Sequence, residues 1–191
     1  MKSPDDSDSP FGAREYLQAH VAKHPEDIET LVALPKGVSR NVWIYEHMRL
    51  ACIELNYFVG YLHIECTEES CPEMVLSDWR FLCAAHRPPR SCTALYYIVH
   101  TLDQAISILT DVDQFPLLAS IPDHSLKVLK DMARRLDRIF MHAYTMHPTT
   151  FHKFENHYHT YSRFARLMQS YELVAENHLT HPEFTRRYAN S

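Results

Sequence analysis

The sequence predicts an all-α protein, a helical bundle carrying one small β-hairpin, and three observations predict it. The chain has only three glycines, Gly12, Gly37 and Gly60, against 11 prolines; this suits helices punctuated by proline better than a series of tight hairpins. From Val42 to about Ile64 apolar residues recur every three or four positions, the longest helical stripe in the chain. With 46% hydrophobic and 23% charged residues the composition is ordinary for a globular protein. A chain of 191 residues can bury roughly 70% of the surface it exposes when unfolded, enough for one domain without staples.

Residues 1–10 (MKSPDDSDSP) combine charge, serine and proline with almost nothing apolar, which predicts a disordered lead-in. A domain is expected over 11–180, with a frayed tail over 181–191. Tyr16, Leu17, His20 and Val21 predict a short helix from Phe11 to about Lys23, stopped by Pro25. Ile28, Leu31, Val32 and Leu34 form a second short stripe before the turn Pro35-Lys36-Gly37. The central helix follows, with Val42, Tyr45, Met48, Cys52, Leu55, Phe58 and Leu62 on one apolar face. A polar loop spans Glu65 to Glu73. The aromatic-rich run Val75 to Ala85 predicts a strand, and Arg87-Pro88-Pro89-Arg90 predicts the turn of the hairpin. Thr93 to about Leu109 reads as helix and Phe115 to Pro122 as loop. Asp123 can cap a long helix to about Met146. The segment Phe151 to Val174 is helical with an interruption near Asn156.

Several function classes are excluded. The three glycines lie far apart, so neither a P-loop nor a dinucleotide fingerprint can form. A net charge of −5 argues against nucleic-acid binding through bulk charge. No apolar run approaches the about 18 residues of a membrane span. Met1 to Pro10 lacks the apolar region of a signal peptide, which predicts an intracellular protein. Five cysteines in a reducing compartment serve more often as buried residues or metal ligands than as disulfides.

Cys66 and Cys71 stand as C-x4-C after the central helix, and His142 and His147 as H-x4-H near the end of the long helix. Two thiolates and two imidazoles make a closed tetrahedral set for Zn²⁺. Residues five apart on an unbroken helix point about 140° apart, so the two histidines would converge poorly there. Pro148 follows His147 directly and biases it out of the α region, which places His147 just past the helix end. Four protein ligands leave no position for a catalytic water, so such a site would be structural. The 70 residues between Cys71 and His142 exclude a DNA-reading finger, whose pairs lie about twelve apart. Cys83, His86 and Cys92 form an alternative ligand set, and with 14 histidines and five cysteines chance pairing is the bland explanation of both.

Enzyme signatures are weak. His63-Ile64-Glu65 matches the H-x-E of zinc deaminases, but the P-C-x-x-C that must accompany it is absent. Neither H-E-x-x-H nor G-x-S-x-G occurs. Asp103, Asp111 and Asp113 suit helix-end capping better than catalysis. On the long helix Lys127, Lys130, Arg134, Arg135 and Arg138 outnumber Asp131 and Asp137, and Arg134 and Arg138 share a face leading to His142. Guanidinium groups match phosphate oxygens bidentately; a solvated helix face is the simpler account of the same residues.

The sequence resembles the Mob family, and within it the phocein-type (class IV) members. The carrying residues are VWIYEHMRLACIELN (Val42 to Asn56), ECTEESCPEM (Glu65 to Met74), WRFLCAAHRPPRSC (Trp79 to Cys92), HTLDQA (His100 to Ala105) and RRLDRIFMHAYTMH (Arg134 to His147). Together they extend the resemblance over about residues 11–175. It implies an all-α core with a small hairpin and a structural zinc held by Cys66, Cys71, His142 and His147, and it implies no catalytic activity. Kinase co-activators of the family bind phosphothreonine peptides through basic residues before the first zinc histidine, and Arg134, Arg135 and Arg138 match those positions. Phocein-type members resemble subunits of the striatin-interacting phosphatase and kinase (STRIPAK) assembly, with striatin, protein phosphatase 2A and germinal-centre kinases as partners. The resemblance implies a cytoplasmic adaptor, peripheral on internal membranes. The surface that holds kinase regulatory helices is not recognisable here, which favours scaffolding over direct kinase activation.

Overall fold

The computed structural model describes residues 11–76, 78–115 and 121–174. Its helices are α1 (Gly12–Val21), α2 (Ile28–Val32), α3 (Arg40–Leu62), α4 (Ala94–Leu109), α5 (Ser125–Met146), α6 (Pro148–Tyr158) and α7 (Thr160–Ser170). The strands β1 (Val75–Leu76) and β2 (Trp79–Arg80) form one antiparallel hairpin, with Val75 opposite Arg80 and Leu76 opposite Trp79. The all-α class with a small hairpin is therefore the observed one. The expected disorder of 1–10 and fraying of 181–191 fall outside the described residues, as do 116–120 of the expected loop.

The central helix is central in the strict sense. The sequence predicted one buried face, but Asn41 through Met48 are all buried, because α3 packs against α1, α4, α5, α6 and α7. Its polar side chains are accordingly partnered. Glu46 receives Arg14 through two bonds of 3.0 Å each and Arg49 Nε at 2.9 Å. The Tyr45 hydroxyl donates to the Leu109 carbonyl at 2.7 Å, and Trp43 Nε1 to that of Val32 at 3.1 Å. At the other end Phe58 stacks within 4.5 Å of Phe154 and 6.3 Å of Phe151, tying α3 to α6.

Three local expectations are corrected. The strand expected over Val75 to Ala85 is instead the two short strands β1 and β2, paired with each other. Arg87-Pro88-Pro89-Arg90 closes instead an isolated bridge between Cys83 and Arg90. Asp123 does not cap α5. Its carboxylate accepts from Asn41 Nδ2 at 2.8 Å, fastening α3 to the start of α5, whose N-cap is His124. The last helical segment breaks at His159, not near Asn156; His159 is left-handed at φ 49°, ψ 30°. The N-terminus of α7 is then capped from outside, since the Glu155 carboxylate accepts from Tyr161 N and Ser162 N, both at 2.8 Å.

Candidate metal centre

Two pieces of backbone bring four soft and borderline donors to one place. Past α3 the chain folds tightly: Cys66 N–H donates to the Leu62 carbonyl at 2.8 Å and Cys71 N–H to that of Thr67 at 2.9 Å. The Ser70 hydroxyl braces the loop by donating to the Glu65 carbonyl at 2.6 Å. Both thiols thereby face the C-terminal end of α5. There His142 projects from the last full turn, and His147 sits between two helices, ending α5 and starting α6 at φ −134°, ψ 53°. Pro148 at the first position of α6 excludes a continuous helix. The two imidazoles, which would diverge on one helix, stand 5.5 Å apart between ring centres.

The ligand atoms of Cys66, Cys71, His142 and His147 all lie within 4.8 Å of one another, and all four residues are buried. Cys66 Sγ is 3.5 Å from His142 Nε2, and Cys71 Sγ is 3.3 Å from His147 Nε2. A tetrahedral ion at about 2.3 Å from sulfur and about 2.0–2.1 Å from nitrogen needs neighbouring ligand atoms about 3.3–3.8 Å apart. The group could hold a metal ion.

The surroundings favour the ligating forms of the imidazoles. Burial pushes His142 down to about 4. Its Nδ1–H donates to the Val75 carbonyl at 3.4 Å, leaving the Nε2 lone pair turned toward the thiols. Burial also lowers His147, opposed by the Glu65 carboxylate, 3.7 Å from its Nδ1. Burial and the neighbouring Cys71 push the Cys66 thiol up to about 12. A thiolate here requires a cation beside it.

Two of the surrounding partners escaped the sequence analysis. Glu65 was set aside with the chance triplet His63-Ile64-Glu65, yet its carboxylate faces a ligand; the triplet's His63 bonds the Gly60 carbonyl at the exposed end of α3. The Val75 carbonyl carries no side-chain signal at all. Among the acidic residues, Asp111 accepts from Asp113 N and Gln114 N, bracing the turn that follows α4 and capping no helix.

The three arginines of α5 have different partners. Arg134 is exposed and pairs with Asp131. Arg135 donates to Gln104 Oε1 at 3.1 Å across a cleft of about 160 Å³ between α4 and α5, lined also by Thr101, Ile108 and Met132. Arg138 is half-buried, its guanidinium 4.5 Å over the Phe81 ring and bonded to the Tyr97 hydroxyl at 3.1 Å. The alternative ligand set is also assembled: Cys83, His86 and Cys92 converge, joined by His100 of α4, a ligand the sequence analysis did not include.

The sequence profile of the Mob1/phocein family matches residues 19–182, a span that contains the whole ligand frame. The chain belongs to the Mob1/phocein family. It is 38% identical over 179 residues to the MOB-like protein phocein of Caenorhabditis elegans, covering 93% of this chain and 80% of that one. It is 36% identical over the same length and coverage to MOB kinase activator-like 4 of Drosophila melanogaster. Similarity to MOB kinase activator 3C of Mus musculus is lower, 28% over 162 residues. Membership in the Mob1/phocein family supports an adaptor or regulator role. Among the described residues no helix is long and apolar enough to cross a membrane.

Proposed function

We propose that this protein is a non-catalytic, zinc-stabilised adaptor of a striatin-interacting phosphatase and kinase assembly, linking a striatin-like scaffold, protein phosphatase 2A and germinal-centre kinases. The observation that carries the proposal is the closed, buried set Cys66, Cys71, His142 and His147 in a chain of the Mob1/phocein family. Two thiolates and two imidazoles suit Zn²⁺, and a fully protein-ligated ion has no open position for substrate or water. Such an ion supplies rigidity: it clips the exit loop of α3 to the junction of α5 and α6. Affinity purification of the tagged full chain tests the proposal. A striatin-like protein and phosphatase 2A subunits are expected to co-purify with wild type and to be lost with Cys71→Ser; a wild-type chain that recovers no striatin-like protein overturns it.

A second function is favoured by Arg135, which lines the cleft between α4 and α5, with Arg138 three residues further along α5 bonded to Tyr97 of α4. In it, Arg134, Arg135 and Arg138 receive a phosphothreonine peptide, as in a Mob1-like kinase co-activator. Titration with phosphothreonine peptides decides. Tight binding abolished by Arg138→Ala supports this second function, and absence of binding removes it.

A further inference from the structure

The first half of α3 is buried, but its last turns put an apolar stripe into solvent. Tyr57 and Ile64 are 63% and 73% exposed, and with Gly60 and Tyr61 they stand at i, i+3, i+4 and i+7. That is the spacing of one helix face, where a solvated surface ordinarily carries charged side chains. Between this stripe and α6 runs a groove of about 390 Å³, lined by Gly60, Tyr61, Ile64 and Glu65 from one side and by Thr150 and Lys153 from the other. Tyr61 is braced from within, its ring edge-on to Phe154 at 5.5 Å.

Gly60 has no reason within its own chain. Glycine is the poorest helix former after proline, because it surrenders the most backbone freedom. A glycine inside a helix is explained where a neighbouring atom excludes a Cβ, yet a Cβ at Gly60 would meet nothing within 4 Å. The bare backbone is exposed on the groove. It suits an approach from outside, since a second backbone comes closer over glycine than over any side chain.

We propose that this groove is the contact face for a second copy of the chain, the two α3 helices crossing antiparallel at Gly60 about a two-fold axis. An isologous contact requires a surface that complements itself, and the residues around the glycine do. Tyr57 lies three residues before Gly60 and Ile64 four after it, about 4.5 and 6 Å along the helix axis. A two-fold crossing therefore lays Tyr57 of each copy against Ile64 of the other. The charges obey the same symmetry. Lys153 and Glu65 line one groove with opposite signs, and the two-fold axis sets Lys153 of each copy opposite Glu65 of the other. Among the described residues Lys153 has no ion-pair partner of its own, and the Glu65 side chain beside His147 is 48% exposed. A two-fold dimer doubles every docking surface of the chain, so an adaptor built on it is bivalent. The contact itself requires neither the adaptor function nor phosphopeptide binding.

Sedimentation equilibrium of the purified full chain over a range of concentrations tests the proposal. Wild type is expected to show a monomer–dimer equilibrium with a dissociation constant in the micromolar range. Gly60→Leu places a good helix former where a Cβ meets open space. It and Ile64→Asp should each weaken the dimer at least about tenfold, with the far-ultraviolet circular dichroism of wild type. Lys153→Glu should weaken it too, whereas Lys36→Glu, the same charge change on the exposed turn before α3, should not. A wild type that stays monomeric at every concentration overturns the second copy and leaves the face to a different protein. A dimer as tight in Gly60→Leu and Ile64→Asp as in wild type overturns the proposal by placing the contact elsewhere. Equal weakening by Lys36→Glu and Lys153→Glu overturns the two-fold charge pairing. None of these outcomes bears on the adaptor function.

Discussion

Arg163 of α7 donates to the carboxylate of Glu54 on α3, a charge pair 109 residues apart in the chain and buried at both ends. Arg163 is 2% exposed, so no water can replace its partner. Two charges withdrawn from water do not stabilise a fold much by themselves, but an orphaned one costs about 3–5 kcal/mol. Glu54→Ala is therefore expected to destabilise by about that amount and Glu54→Leu with Arg163→Met by much less. Urea unfolding of the two variants checks this; equal losses would show that the charges are not coupled.

The first metal centre should be separable from the helical core in its energetics. Structural zinc in small peptides contributes about 10–16 kcal/mol of apparent folding free energy. Here a core exists without it, so we expect chelation or Cys71→Ser to cost at least about 3 kcal/mol, lowering Tm by about 6–12 °C at 2–4 °C per kcal/mol. Cys52 supplies the control. Its thiol is buried in α3 and pushed up to about 12 by burial alone, and Cys52→Ala should cost about 1 kcal/mol while leaving the zinc content unchanged. Thermal unfolding with and without chelator, beside metal analysis, measures both.

His47 is a buried neutral imidazole, its Nε2–H donated to the Leu31 carbonyl at 3.1 Å and its ring edge-on to Trp43 at 4.7 Å. Burial, and then the Arg163 charge, hold it well below its ordinary value. The unfolded chain titrates this group near 6.5. Above that pH neither state takes the proton; below it the unfolded state binds one that the native state refuses. Stability should therefore fall by up to about 1.4 kcal/mol per pH unit below about pH 6.5, and His47→Gln should remove that slope. Urea midpoints at pH 7.5 and 5.5 for both chains give the comparison, and an undiminished slope in the variant would assign the effect to other groups.

The two arginines at 134 and 138 should behave differently although they share a helix face. Arg134 makes one exposed pair with Asp131, and Arg134→Ala should change stability by no more than about 0.5 kcal/mol. Arg138 lies over Phe81 and bonds Tyr97, so Arg138→Ala should cost about 1–2 kcal/mol. Chemical denaturation of the two variants tests the contrast, which disappears if Arg138 is merely another solvated cation.

Much of the fold was legible because it is local. The stripe beginning at Val42 marked α3 to within two residues at each end, and Thr93 was read correctly as the start of α4, where its hydroxyl accepts from Tyr96 N. The break at His159 was not legible, because few non-glycine residues enter the left-handed region and histidine, though enriched there, is far more often found elsewhere. All four ligand residues of the first centre were legible as spacing, and Pro148 explained His147. The neighbouring carboxylate of Glu65 was hidden, since an acidic residue on a polar loop looks solvated until a helix end is packed against it.

By itself the sequence determined the helical class, the absence of phosphate-loop chemistry, the family, and which cysteines and histidines stand at ligand spacing, because each of these is written in neighbours a few residues apart. Only the tertiary structure decided that Cys66 and Cys71 meet His142 and His147, that His100 joins Cys83, His86 and Cys92, and which partners Arg134, Arg135 and Arg138 take. Those outcomes depend on closing loops of many tens of residues around α3, and the closure is set by how the helices share one core, which no local pattern encodes.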